Sequence, residues 1–369
     1  MPAEHYRARI ERLAKAVRDE VDYVVISRAV NIRYFTSLSI DPLERVVLLI
    51  VDSFTGDAYI LAPMLERDRI AEVAKDIGLH LMIYSDYEDP VKKVSEVLSF
   101  GSTVGVEWAA KYGVVTSIKE NCSVRGVVLI DDYISRLRMV KDEDELSKLR
   151  RASKLNQEVI KYIIENLRSG KVEREVSLDA CRYAMELGAE SCPYPIIQSG
   201  PNTALPHKHS SDRVIRDGDI VLIDFTIIYD GYVSDITRTV VLGKGYERDA
   251  ASIFDVVYRA QASALEAIKP GVAAKDIDLA ARDTISREGY GDYFIHRTGH
   301  GIGLEVHEEP YIHEESTTII EKGMVFTVEP GIYLLGRYGI RLEDNVIVTS
   351  DGYENLVQLP KSLDPKDYL

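Results

Sequence analysis

Between residues 219 and 242 the chain reads DIVLIDFTIIYDGYVSDITRTVVL, two apolar and β-branched runs joined by Asp230-Gly231. Such runs suit the pleated, half-buried surface of a sheet, and Asp-Gly between them is a strong short-range signal for a tight hairpin. The stretch also carries two acids where a buried strand expects none. Asp224 and Asp235 each lie inside an otherwise apolar or β-branched run, and a hairpin brings both side chains to one end of the sheet. Either acid alone would be read as a turn or edge residue.

The case for a site comes from accumulation. His300 in GHGIGLEVHE, Glu329 in VFTVEPGIY and Glu343 in GIRLEDN are further polar residues in strand-like, glycine-flanked surroundings. Four carboxylates in one cavity repel one another and raise their own pKa values, so gathering them makes sense mainly if cations neutralise the site. Two divalent ions would balance four negative charges. Four carboxylates with one imidazole form a hard, oxygen-rich donor set that fits Mn²⁺ or Co²⁺ best, with Zn²⁺ or Fe²⁺ possible. Other motifs fail on spacing. His307-Glu308-Glu309-Pro310-Tyr311 lacks the second histidine of a zincin helix and carries a proline inside it. Gly299, Gly301 and Gly303 alternate without the GxGxxG pattern of a dinucleotide site, and there is no GxSxG elbow. These glycines are expected to let the backbone approach a metal site closely.

With 369 residues, 46% hydrophobic and 28% charged, the chain is long enough for two globular domains. A net charge of −15 argues against nucleic acid. No run approaches the roughly 20 apolar residues of a membrane helix, and MPAEHYRARIERLAKAVRDE alternates charge at helical spacing, so a cytoplasmic protein is expected with no membrane partner. Cys122, Cys181 and Cys192 show no metal or disulfide spacing and read as buried free thiols. Four Gln and seven Asn beside plentiful Glu, Lys, Arg, Ile and Val suit a thermophile. Residues 1–137 mix an amphipathic helix (Ile10, Leu13, Val17) with the strand-like runs VDYVVIS, RVVLLIV and DAYILAP, which predicts a small α/β domain. From Arg136, RLRMVKDEDELSKLRRASKLNQEVIKYIIENL has acids first, bases later and apolar residues at three-to-four spacing, as a helix should. A second domain over 138–369 then reads as grouped helices and antiparallel-type strands, an α+β pattern, with two helices broken at Lys269-Pro270-Gly271.

LPH, LIDFTIIYDGYVSDITRT, GHGIGLEVHE, TVEPGIY and RLED, in that order from about Ser199 to Asp344, resemble the pita-bread metallopeptidases, which include prolidase, aminopeptidase P and methionine aminopeptidase. The resemblance implies a pita-bread catalytic domain behind a smaller α/β N-terminal domain, and two divalent ions per subunit. Residue by residue it implies that Asp224 binds one metal, that Asp235 and Glu343 bridge both, and that His300 and Glu329 complete the other. It marks His207 and His307 as the histidines that hold the substrate and the tetrahedral intermediate, with Glu329 also shuttling a proton. Arg341 either pairs with site carboxylates or binds a substrate carboxylate. His209 and His313 match no family role. The separate first domain, LPH, SDITRT and the LEVHE form resemble the proline-specific branch, implying short proline-containing peptides as substrates and a homodimer. Some prolidases carry an arginine shortly after the LEVHE-type histidine, where this chain has Tyr311, so dipeptidase and aminopeptidase activities both stay open. A non-catalytic peptide-binding protein on the same fold, or a methionine aminopeptidase or creatinase type of hydrolase, is the alternative.

Overall fold

The computed structural model describes residues 3–40, 43–244 and 248–369; Met1 and Pro2 of the N-terminal run lie outside these. The chain divides into two compact units, Met1–Arg138 and Met139–Leu369.

In the first unit α1 (Ala3–Val17) buries Ile10, Leu13 and Val17, the stripe that the spacing predicts. It is followed by β1 (Tyr23–Ile26), α2 (Ala29–Thr36), β2 (Leu48–Asp52), β3 (Ala58–Pro63), α3 (Arg67–Ile77) and β4 (His80–Tyr84). Then come α4 (Pro90–Val94), β5 (Thr103–Val106), α5 (Tyr112–Asn121), β6 (Gly126–Leu129) and α6 (Asp131–Met139). One mixed sheet of order β4-β3-β2-β1-β5-β6 runs through it, in which β1, β2 and β3 pair antiparallel while β4, β5 and β6 join in parallel. The three strand-like runs of the sequence are β1, β2 and β3.

The helical pattern that begins near Arg136 is interrupted. α6 ends at Met139 and α7 (Glu143–Asn166) starts after three intervening residues, because Asp142 caps it. The Asp142 carboxylate accepts from the backbone N–H groups of Asp144 and Glu145, and the Glu145 carboxylate accepts in return from the Asp142 N–H. This reciprocal box satisfies donors that a continuous helix would have bonded internally, so the acids read as a first turn are an N-terminus in fact.

The second unit continues with α8 (Glu173–Glu186), β7 (Pro195–Ser199), β8 (Ile220–Tyr229), β9 (Tyr232–Val241), α9 (Ala250–Glu266) and α10 (Ala274–Arg287). The strands β10 (Gly299–Gly301), β11 (Glu308–Ile312), β12 (Val325–Val328), β13 (Gly331–Leu334), β14 (Tyr338–Arg341), β15 (Asp344–Val348) and β16 (Tyr353–Asn355) complete it. They form sheets of order β7-β8-β9, β11-β10-β12-β15-β16 and β13-β14, antiparallel throughout. At the β8–β9 turn Asp230 and Gly231 have φ of 49° and 79°, the paired left-handed conformation that Asp-Gly tolerates and that matches the twist of its flanking strands. Tyr229 therefore faces Tyr232, and the register of the whole hairpin follows.

That register decides which side chains meet. Ile223, Phe225 and Ile227 of β8, with Ile236 and Val240 of β9, pack in one cluster with Val159, Ile160 and Ile163 of α7 and Ala180 of α8. A second cluster joins α9 and α10, through Ile253, Val257, Ile277 and Ile285, to Phe326, Val328, Ile340 and Val346. With one face of the hairpin taken by α7 and α8, the alternate residues face the other way. Buried polar ties fix the layers: Asn156 of α7 donates to the carbonyls of Phe225 and Ser234. Arg238 and Asp344, both wholly buried, pair at 2.8 Å, and the same guanidinium donates to the Glu343 and Leu359 carbonyls. Burial pushes the Asp344 carboxyl up, but the Arg238 and Lys361 charges outweigh it and hold the group below the usual range. Removing one member of a buried pair strands the other, so Arg238→Ala is expected to cost about 3–5 kcal/mol, read as a lowered melting temperature of the second unit.

Candidate metal centre and active-site cavity

In the hairpin register Asp224 lies opposite Thr237 and Thr226 opposite Asp235, so all four side chains share the face turned away from α7 and α8. The acids stand in mid-hairpin, each across from a threonine. The sequence reading places them at one end of the sheet; the tight turn at Asp230-Gly231 sets them further in. The threonines have work there. Thr226 Oγ1 donates to Asp235 Oδ1 at 2.8 Å, and Thr237 Oγ1 donates to Glu343 Oε2 at 2.8 Å. Asn345 clamps the Asp235 backbone from both sides, accepting from its N–H and donating to its carbonyl.

The remaining donors arrive from strand ends. Glu343 sits between β14 and β15, with its N–H on the Thr237 carbonyl. Glu329 follows β12, and its N–H bonds the Thr298 carbonyl at 2.7 Å. Thr298 is in turn gripped by buried Asp278 through its N–H and hydroxyl, and Asp278 is held by Arg282. His300 on β10 presents Nε2 3.3 Å from Glu329 Oε1, with Nδ1 3.2 Å from the Gly301 carbonyl. One donor atom each from Asp235, His300 and Glu343 lies within 4.8 Å of the others. Asp224, Asp235, His300, Glu329 and Glu343 all line a single cavity of about 570 Å³.

Burial sets the electrostatics. Desolvation, then the charge of Asp224, raises Asp235 well above the ordinary carboxylate range, and desolvation, then Asp235 and Glu329, does the same to Glu343. Glu329 is pushed up to about 7, by burial foremost. Burial, then the neighbouring His307, lowers His300, which leaves a neutral imidazole with a lone pair to offer. Glu343 Oε1 is buried with no hydrogen-bond partner, an expensive arrangement for a carboxylate with only protein around it. The donor set therefore fits divalent cations: hard oxygens, one neutral imidazole and an unspent acceptor in the midst of mutually repelling acids.

Both histidines assigned to the substrate lie on the same cavity. His207 and His307 are exposed residues that line it, and the His307 ring packs edge-on against His300 with centroids 4.3 Å apart. Desolvation of that ring, with the charge of Arg297 second, lowers its pKa. Of the two roles open for Arg341, the structure displays the pairing with a site carboxylate: the guanidinium bonds Asp224 Oδ2 at 2.6 Å, Thr237 Oγ1 and the Tyr333 hydroxyl. His209, given no role from sequence, lines the cavity, whereas His313 accepts from the Glu315 N–H at a turn.

Sequence reasoning passes over His296, Tyr333 and Arg297. His296 Nδ1 is 2.7 Å from the Arg297 carbonyl and must donate to it; Nε2 then accepts from the Tyr333 hydroxyl at 2.8 Å, which itself accepts from Arg341. Burial, then the charge of Arg341, lowers His296 to about 3, and burial raises Tyr333 to about 12, so both are neutral across the physiological range. Their signal lay in GDYFIHRTGHG and EPGIYL, but nothing in spacing shows that these segments meet. The alternating glycines also act differently from expectation. A Cβ on Gly299 would lie 1.9 Å from the Thr327 carbonyl oxygen and one on Gly301 2.3 Å from that of Glu309, so the close approach they admit is that of neighbouring strands. Of the cysteines, Cys122 is buried and free, and Cys181 and Cys192 are free and half-buried.

Residues 147–350 match the metallopeptidase family M24 model, and residues 9–140 match the creatinase/prolidase N-terminal domain. The chain belongs to metallopeptidase family M24. It is 38% identical to the Xaa-Pro dipeptidase of Pyrococcus furiosus over 97% of its own length and 99% of that protein. The crystal structure of dipeptidase PepE from Mycobacterium ulcerans matches this M24 chain with a TM-score of 0.92 and 34% identity, covering 99% of it and 98% of that chain. The prolidase structure from Pyrococcus furiosus matches with a TM-score of 0.86 and 36% identity, covering 94% and 100%. Its fold is thus the pita-bread fold of an M24 enzyme behind its N-terminal domain, and membership implies divalent metal ions. Among the described residues no helix is long and apolar enough to cross a membrane.

The pKa of Glu329 gives a sign for stability. A carboxyl raised from 4.5 to about 7 on folding adds stability that is complete below pH 4.5 and lost as pH rises through about 7. The metal-stripped M24 enzyme should melt at lower temperature at pH 8 than at pH 6.5. Because donors must be deprotonated to bind, the rise in melting temperature on adding Mn²⁺ should be larger at pH 8 than at pH 6, as scanning calorimetry would read. Equal increments would contradict this assignment of the acids.

Proposed function

We propose that the chain hydrolyses the bond between an N-terminal residue and proline, with Xaa-Pro dipeptides as preferred substrates. The observation that carries the reading is the gathering of Asp224, Asp235, His300, Glu329 and Glu343 on one cavity, in a chain whose similar relatives bear the name Xaa-Pro dipeptidase. In this reading Asp224, Asp235, His300, Glu329 and Glu343 would hold two divalent ions. Mn²⁺ or Co²⁺ suits the oxygen-rich set, and the enzyme works as a cytoplasmic homodimer. The ions supply Lewis-acid polarisation and a nucleophile at neutral pH.

The residues divide the remaining work. Asp224 is oriented through Arg341, itself braced by Tyr333 and His296. His207 and His307, at the cavity wall, hydrogen-bond the scissile carbonyl oxygen and the charge that grows on it. The proline nitrogen leaves as an amine only once protonated. Glu329, on the same cavity, takes a proton from the attacking water and returns it to that nitrogen. Tyr194, Ile196 and Val306 give the same cavity an apolar wall for the substrate's side chain or the proline ring.

An Xaa-Pro aminopeptidase would use the same centre on longer peptides, so substrate length decides between the two. Ala-Pro should be hydrolysed with higher kcat/KM than Ala-Pro-Ala by protein reconstituted with Mn²⁺; the reverse order would establish the aminopeptidase. Glu329→Gln is expected to lower kcat by roughly 10²–10⁴-fold, and Asp235→Asn to abolish turnover together with tight metal retention. Full turnover by Asp235→Asn would remove the two-ion reading.

A further inference from the structure

Cys181 and Cys192 carry no spacing signal in the sequence, yet the fold sets these two free thiols side by side. Cys181 sits on α8 one turn after Ser177, whose hydroxyl donates to the Pro195 carbonyl at 2.5 Å. Residues four apart share a helix face, so Cys181 is turned toward the segment that leads into β7. After α8 the chain reverses, with the Ala189 N–H on the Ala184 carbonyl. Glu190 and Ser191 are then pinned to Ile228 of β8 through backbone hydrogen bonds, which brings Cys192 back alongside the helix. Both cysteines are half-buried and pack against the apolar cluster of α7, α8 and β8. The Cys192 thiol hydrogen-bonds the Cys181 sulfur, and this bond outweighs burial to lower the Cys181 pKa, while the same contact raises that of Cys192. The pair divides into an attacking thiol and a resolving one.

The segment that Cys192 opens reaches the active site. It reads Cys192-Pro193-Tyr194-Pro195, and Tyr194 lines the cavity. A proline on either side of Tyr194 fixes backbone rotation there. The Tyr194 carbonyl accepts from the N–H of Thr226, the residue whose hydroxyl holds Asp235. A covalent tie at Cys192 therefore restrains the cavity wall together with the helix.

We propose that Cys181 and Cys192 form a reversible oxidation site, closing to a disulfide that fastens residues 192–195 of the cavity wall to α8. The oxidant is a small-molecule disulfide. The Cys181 thiolate attacks one of its sulfurs and expels the other as a thiolate, leaving a mixed disulfide on Cys181. Cys192 then gives up its proton, attacks the Cys181 sulfur and releases the second thiolate. Two electrons pass from the protein dithiol to the small disulfide, which departs as two thiols carrying the protons of the pair. A reducing dithiol reverses the exchange. The ring so closed restricts the unfolded chain and stabilises the folded second unit. Cys122 lies buried in the first unit and takes no part.

The test exposes the full Mn²⁺-loaded chain to cystamine, removes the reagent and titrates thiols after unfolding. The three thiols of the chain should fall to one, with Cys181 and Cys192 recovered in one linked peptide from a single chain. The melting temperature should rise by roughly 5–10 °C and return when dithiothreitol is added. C122S should show the same rise, whereas C192S should stall as a cystamine adduct on Cys181 and gain no stability. Three surviving thiols, an adduct that persists on the wild type, or a linked peptide without a rise in melting temperature would overturn the inference.

Discussion

Asp224, Asp235, Glu329 and Glu343 share one cavity, and the ionisation of each opposes that of the others. In water such a cluster would be unremarkable, but here two of its members are almost fully enclosed. Burial first, and then the charge of their neighbours, raises the pKa values of Asp235, Glu329 and Glu343, so that without counter-charge they tend to hold protons. The rest of the catalytic unit is organised around keeping these acids together. The threonine set across from each hairpin acid, the Asn345 clamp and the Asp278–Thr298–Glu329 chain supply hydrogen bonds that hold the carboxylates in place. Arg341 provides the single buried positive charge bonded to the cluster among the described residues. A core able to absorb that repulsion lies behind it, with α7 and α8 on one side and α9 and α10 on the other.

The donors come from five places in the chain, and rigidity comes from pairing between strands rather than from the loops that carry Glu329 and Glu343. Arg238 and Asp344 show this. They are wholly buried, they lie next to site residues in sequence, and their pairing binds β9 to the start of β15. The Arg341–Tyr333–His296 relay works likewise: a charge beside Asp224 is fixed by a neutral phenol and a neutral imidazole, and the imidazole in turn fixes the backbone at Arg297. The backbone at Arg297 and the acid cluster are thereby tied to one hydrogen-bonded frame.

Much of this was legible in the sequence. Asp-Gly between two β-branched runs specified the hairpin and its register, and acids inside apolar strands marked themselves as costly residues that need a reason. The capping acids after Lys141 were visible as a helix start, yet the break between α6 and α7 was hidden because apolar spacing continues across it. His296, Tyr333 and Arg297 could not be found by pattern, since their partners lie on other strands and the segments between carry no periodic signal. Glycine spacing misled in a specific way: the space around Gly299 and Gly301 is filled by adjacent backbone. The threonines at 226 and 237 follow from the hairpin register once the turn residues are taken as its centre.

The account stands on the claim that these acids form a divalent-cation site and are not merely a strained polar core. Isothermal titration of Mn²⁺ into the metal-stripped chain, beside the Glu343→Gln variant, tests it without recourse to activity. The account predicts two ions bound per chain in the wild type with release of protons, and loss of at least one in the variant. Absence of saturable binding, or identical binding by both proteins, would contradict it.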